Sequence, residues 1–208
     1  KKIGNIADLI KKATYLGAEE IFLVDNTRSL FGLKPNFKML LEAAKVSTLP
    51  ITFGGGIKSL EDAMLAYSMG ASRVYINTAL AKNHELAMEI AYRCGRQSLS
   101  GGIEYRSDVN FANECFSECG REPLRISVKE RTNREANYVG EFILTSITKD
   151  GTLTGPDIEV IKEVEVKNIP LIICGGINNN RDLNNIIQFS KNYKNLSGFA
   201  SSTSYLIN

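Results

Sequence analysis

This 208-residue chain is poor in cysteine and histidine, and it has no long apolar run. Its four cysteines, Cys94, Cys115, Cys119 and Cys174, are too sparse for the disulfide framework of a small secreted domain. They read as reduced thiols of a cytoplasmic protein. Cys115 and Cys119 form a C-x3-C pair, but the chain has no second pair and its single histidine, His84, is distant in sequence. A zinc site needs about four ligands, so no metal is expected. No apolar run approaches the roughly 18–20 residues of a membrane helix, so no membrane partner is expected. The opening KKIGNIADL is not followed by the apolar stretch of a signal peptide. A net charge of +2, with both signs mixed along the chain, excludes a nucleic-acid surface built on bulk charge.

What the chain does have is ordinary soluble composition, 43% hydrophobic and 23% charged, and enough length for one large core. Helical and strand patterns alternate. Asn5 caps a helix to about Leu16, with Gly17 as its stop. Strands follow at Glu20–Asp25, Leu49–Phe53, Arg73–Asn77, Ser98–Glu104, Glu141–Ile147, Leu171–Cys174 and Leu196–Ala200. Helices are predicted over Phe37–Lys45, from Ser59 to Gly70, from Asn83 to about Arg93, over Val128–Ala136, from Asp157, and near Arg181–Phe189. Tyr105–Ser127 is polar and irregular and fits a hairpin.

Seven short apolar strands separated by helix-length segments imply a parallel sheet covered by helices. The fold class is α/β, and the pattern fits a (β/α)8 TIM barrel. Such a barrel begins with a strand and ends with a helix, whereas this chain begins with a helix, ends with a strand and opens on Lys. The expectation is a single barrel domain lacking its first strand and last helix, with native residues missing at both ends and two open edges. LPITFGGGI (Leu49–Ile57) recurs 120 residues later as IPLIICGGI (Ile169–Ile177). Two half-barrels, residues 1–97 and 98–208, account for this most simply. Chance likeness between two β-Gly-Gly turns is the other reading.

Active sites of such barrels lie at the C-terminal strand ends, where backbone N–H groups hold phosphate. Gly54, Gly55 and Gly56 follow one strand, and Asn77 and Thr78 end the next. Gly175, Gly176, Ser201 and Ser202 form the matching set in the second half. Each glycine pair alone also suits a tight turn. Two matched sets point to a ligand carrying a phosphate at each end. Between them lie Asp25, Glu104, Thr145 and Asp150, as acid, base or substrate-orienting groups. K-D-G-T around Asp150 is equally a good turn sequence. Glu20, Arg73 and Glu141 each begin a strand at the opposite rim. They form either one charged layer at the barrel floor or three solvated strand-start charges.

FGGGIKSLEDA, VYINTALAKN, GEFILTSITKDGTLTGPD and PLIICGGI together resemble the cyclase subunit of imidazole glycerol phosphate synthase, over nearly the whole chain. The resemblance implies a lyase of histidine biosynthesis that forms a heterodimer with a HisH-like glutaminase and needs no cofactor. Ammonia from the partner travels through the barrel. It reacts there with a bis-phosphorylated ribulosyl-formimino carboxamide nucleotide, giving imidazole glycerol phosphate and the aminoimidazole carboxamide ribotide AICAR. Gly56, Asn77 and Thr78 match the family's first phosphate site. Gly151, Gly176, Ser201 and Ser202 match the second. Asp25, Thr145 and Asp150 match active-site positions. Glu20, Arg73 and Glu141 match the ring that gates ammonia, with Arg73 in place of lysine.

The chain also departs from that family. Of its two catalytic aspartates, one belongs to the strand that is missing here and the other aligns with Glu104. Thr148 stands where an acidic residue is usual, and Asn110–Ile126 and Ile177–Asn179 differ. These features and K-P-N-F (Lys34–Phe37) also resemble a paralogous barrel of surface-polysaccharide clusters, which helps to amidate a sugar. A third reading is a catalytically silent barrel kept to bind and activate a glutaminase.

Overall fold

The structure, a computed structural model, describes residues 4–107 and 113–201. Local capping chemistry starts most of its helices. The Asn5 side chain accepts the Asp8 N–H at 2.9 Å and opens α1 (Ile6–Tyr15). β1 (Ile21–Val24) leads through a short helix, α2 (Asn26–Leu30), to α3 (Phe37–Ala44) and β2 (Ile51–Gly54). Ser59 caps α4 (Leu60–Ser68) by accepting from the Asp62 N–H at 3.2 Å. Then come β3 (Arg73–Ile76), a short α5 (Thr78–Lys82), α6 (His84–Cys94) and β4 (Leu99–Arg106). β5 (Glu114–Ser117), β6 (Glu122–Ser127), α7 (Val128–Glu135), β7 (Glu141–Ser146), β8 (Leu171–Cys174), α8 (Asn180–Ser190) and β9 (Leu196–Ala200) complete the order. No helix among the described residues is long and apolar enough to cross a membrane.

The parallel strands run in the order β1-β2-β3-β4-β7-β8-β9. These are the seven strands expected from the sequence, on an α/β, TIM-barrel-like scaffold. The sheet curls so that strands two apart meet inside: Arg73 on β3 reaches Glu20 before β1 at 2.8 Å and Glu141 on β7 at 3.8 Å. β5 and β6 form an antiparallel hairpin beside β4, as the irregular stretch suggested.

Strand period decides which residues face inward. On β3 and its end, Arg73, Tyr75 and Asn77 face the interior. Val74 and Ile76 face the helices and are buried. Helix residues Leu40, Ala43, Ala63, Ala66 and Ile90 are fully buried against that outer face. The alanines let the helices approach the sheet closely.

Two expectations are corrected. The helix predicted from Asp157 is a single 3-10 segment, Glu159–Glu163. The Gly155 N–H donates to Gly176 O at 2.8 Å, which pins the chain just upstream, and Val160 and Ile161 already reach the core. The short helices α2 and α5 were not anticipated; Asp25 caps the first of them.

The repeat in the sequence has a counterpart in the backbone. Gly55 and Gly56 have φ of 97° and 82°, and Gly175 and Gly176 have 101° and 82°. Past each turn an aspartate three positions into the helix cap accepts a backbone N–H: Lys58 donates to Asp62 at 3.2 Å, and Asn178 to Asp182 at 2.8 Å.

Candidate active site

Both glycine sets lie at the C-terminal mouth of the parallel sheet. A cavity of about 350 Å³ is lined by Gly55, Gly56, Asn77, Thr78 and Glu104. A smaller one of about 20 Å³ is lined by Asp150, Gly151, Gly175, Gly176 and Ser201. Ser202 lies outside the described residues. The glycines are there because backbone crowds them: a Cβ on Gly55 would sit 2.2 Å from Asp25 O, and one on Gly176 would sit 2.3 Å from Gly155 O. Both also have positive φ, so any side chain would be strained.

Lys58 and Lys82 line the larger cavity as well. Sequence reading passed over both, although each stands within five residues of a singled-out position. The hairpin tip closes over this cavity. The Glu118 N–H donates to Thr78 Oγ1 at 3.0 Å, and Lys82 Nζ pairs with Glu118 at 2.8 Å and Glu122 at 3.0 Å. Cys119 Sγ contacts Asn26 O at 3.6 Å.

Between the cavities, sheet register sets Glu104 beside Thr145 and Thr145 beside Cys174. Glu104 is largely buried, and its Oε2 has no hydrogen-bond partner among the described residues. Burial raises its pKa; Asn77, the Gly120 N–H and Arg131 oppose that rise, and Asp150 adds to it. A carboxyl held this way keeps its proton to higher pH than an ordinary glutamate, as a general acid requires. Burial, with Asp150 adding to it, pushes the Cys174 thiol up to about 11, so it remains protonated near neutral pH.

Asp25 is placed differently. It lines neither cavity. Its carboxylate caps α2 and accepts from Thr27, from Arg28 Nε at 3.3 Å and from Asn36 Nδ2 at 2.9 Å. Burial pushes its pKa up, but the Thr27, Asn36 and Arg28 donors more than offset this and hold it low. It therefore shapes the turn beneath Gly55 and stays ionised.

The rim charges assemble at the opposite end. Arg73 bridges Glu20 and Glu141, Thr52 donates to Glu20, and Ser100 donates to Glu141. Burial raises the Glu141 pKa against the opposing pull of Ser100 and Arg73. Between this ring and the cavity lies Tyr75, also missed from sequence though strand period places it between Arg73 and Asn77. Its ring meets Phe22 edge-on at 4.9 Å, and Gly54 and Gly102 leave the room it fills. Among the described residues no group of His, Cys, Asp and Glu could hold a metal.

Comparison with known proteins agrees with this geometry. The family described as histidine biosynthesis protein matches residues 1–199. The imidazole glycerol phosphate synthase subunit HisF of Legionella pneumophila is 37% identical over 81% of this chain and 80% of its own length. The HisF subunit of Dictyoglomus thermophilum is 34% identical over 87% of this chain and 73% of its own length. A Pseudomonas aeruginosa protein named hisF2, provisionally assigned to the same synthase, is 33% identical over 88% of this chain and 74% of its own length. With a TIM-barrel-like sheet, glycine-lined cavities at one end and a charged ring at the other, the chain belongs to the histidine biosynthesis protein family and is of the HisF type.

Proposed function

We propose that this chain is the cyclase subunit of an imidazole glycerol phosphate synthase, acting in the cytoplasm with a HisH-like glutaminase. What carries the reading is the pair of glycine-lined cavities on one mouth with Glu104 and Thr145 between them. Gly55, Gly56, Asn77 and Thr78, with Lys58 and Lys82 nearby, grip one phosphate of the bis-phosphorylated formimino nucleotide. Gly151, Gly175, Gly176 and Ser201, with Ser202, grip the other. Backbone N–H groups and lysine ammonium groups suit a dianion, and holding both ends fixes the reacting centre over Glu104.

Glu104 acts as acid and base in ring closure and in release of AICAR. Asp150 and Thr145 position the substrate, and Asp25 acts through the turn it holds. Ammonia enters past Glu20, Arg73 and Glu141 and must pass Tyr75. The test is loss of the formimino nucleotide's absorbance with full-length protein and ammonium salt. Absence of both turnover and nucleotide affinity overturns the reading.

One observation favours a second reading. Asn36, within the K-P-N-F segment, donates to Asp25, so a segment resembling the sugar-amidating paralogue is built into the mouth. Affinity for a sugar-linked substrate in place of the formimino nucleotide would select that branch. Normal nucleotide affinity without turnover would select a silent, glutaminase-activating barrel.

A further inference from the structure

Arg131 is an unusual residue to find in the wall of this barrel. It stands on α7, and its side chain is fully buried. A guanidinium carries its charge at any working pH, so its burial needs partners on every side. It has them. Nε donates to both oxygens of Glu135, at 3.1 and 3.2 Å. One Nη donates to Phe116 O on the hairpin at 3.4 Å. The other donates to Asn77 twice, to the backbone O at 3.2 Å and to Oδ1 at 2.9 Å. Glu135 is equally buried; Arg134 holds it at 3.2 Å and His84 Nε2 lies 3.8 Å away.

The consequence falls on Asn77. This residue precedes α5, yet its side chain makes no capping bond to that helix. Arginine offers only donors, so the Asn77 atom facing it must be the oxygen. The Asn77 amino group is thereby turned away from Arg131; Asn77 and Glu104 line the same cavity, and the amide favours the ionised form of that carboxyl. The Arg131 cation also favours the ionised form of Glu104. Among the described residues, Tyr75, Cys119, Glu118, Lys58 and Lys82 line the same cavity as that carboxyl, and Asp150 after β7 raises its pKa.

We propose that Arg131, anchored by Glu135, is a positioning residue: it fixes the Asn77 amide in the cavity that Glu104 also lines, and ties α7 and the hairpin to that cavity. The role rests on the site assigned above, and it can be read without turnover.

The experiment is a carboxyl 13C NMR titration of Glu104, assigned by difference with Glu104→Gln, in native protein, Arg131→Met and Arg131→Lys. In Arg131→Met the Glu104 midpoint should move to higher pH. Arg131→Lys, which keeps the charge but loses the fork on Asn77, should lie between the two. Superimposable Glu104 curves for native protein and Arg131→Met overturn the proposal. Should Arg131→Met fail to fold, native protein still decides the matter: the Asn77 side-chain amide and Arg131 Nε resonances should titrate with Glu104, and resonances that stay still overturn it. If the native protein turns over the formimino nucleotide, kcat should fall about 100-fold in Arg131→Met, with partial rescue in Arg131→Lys. If the native protein shows no turnover, the cyclase reading fails while the titration still judges Arg131.

Discussion

Replacing Gly102 by alanine tests the inner packing most directly. Gly102 sits in β4 without a positive φ, so alanine meets no backbone strain there. Its methyl would instead meet Tyr75: 2.2 Å to Oη, 2.3 Å to Cζ and 2.5 Å to Cε2. The ring cannot retreat toward β2, because a Cβ built on Gly54 already comes within 2.6 Å of its Cδ1. Phe22 packs against it edge-on. Overpacking of this kind costs about 1–3 kcal/mol. In a domain of this size that is a fall in Tm of roughly 2–12 °C. Thermal unfolding followed by circular dichroism measures it. Tyr75→Ala alone should cost about 3–5 kcal/mol. In Gly102→Ala/Tyr75→Ala the clash disappears, so the two losses should fall short of additive by about 1–3 kcal/mol. An unchanged Tm in Gly102→Ala, with strict additivity in the double variant, would refute the claim that Tyr75 fills the barrel interior over Gly102.

Three further outcomes are expected. Glu104→Gln should lower cyclase turnover by about 100-fold or more, and an undiminished rate removes the carboxylate from the chemistry. Gly176→Ala forces a Cβ to within 2.3 Å of Gly155 O at a φ of 82°; it should weaken inorganic phosphate binding, read by 31P NMR, and lower Tm, and native values for both would dissociate Gly176 from the smaller cavity. Glu141 has a raised pKa when folded, so it takes a proton more readily in the fold than in the unfolded chain. Its ionisation therefore subtracts stability as pH rises above about 4.5. Glu141→Gln should flatten the urea midpoint against pH in that window, and an unaltered slope refutes burial as the cause.

Local signals carried far in this chain. Cap residues Asn5, Ser59 and Asn83, with Gly17 and Gly70 as stops, act within a few residues of themselves, so α1, α4 and α6 were legible. Short segments of four to seven residues, most of them apolar, marked all seven parallel strands because both faces of each are covered. The segment after Asp157 misled because its apolar pattern suits a helix, while the bond from Gly155 to Gly176 O that limits it spans 21 residues. Glycines 55, 56, 175 and 176 were legible as two matched turns at the mouth of the sheet because a repeated motif announces itself. Lys58 and Lys82 were not legible as cavity-lining residues, since an exposed-looking lysine has no periodicity to betray it. Asp25 read as an acid, a base or a substrate-orienting group, and only the fold showed that Asn36 and Arg28 tie its carboxylate into the turn.

The sequence by itself determined the alternation of elements, the doubled glycine turns and the family, since each is written in short motifs whose physics is local. Tertiary structure alone decided which charges distant in sequence meet. Nothing local to Arg131 predicts burial; on an eight-residue helix of mostly polar residues it reads as solvated. It is buried because packing of β3 and the hairpin against α7 brings Asn77 and Phe116 up to it, beside Glu135 one turn along its own helix, and a cation forked among their oxygens replaces the water it has lost.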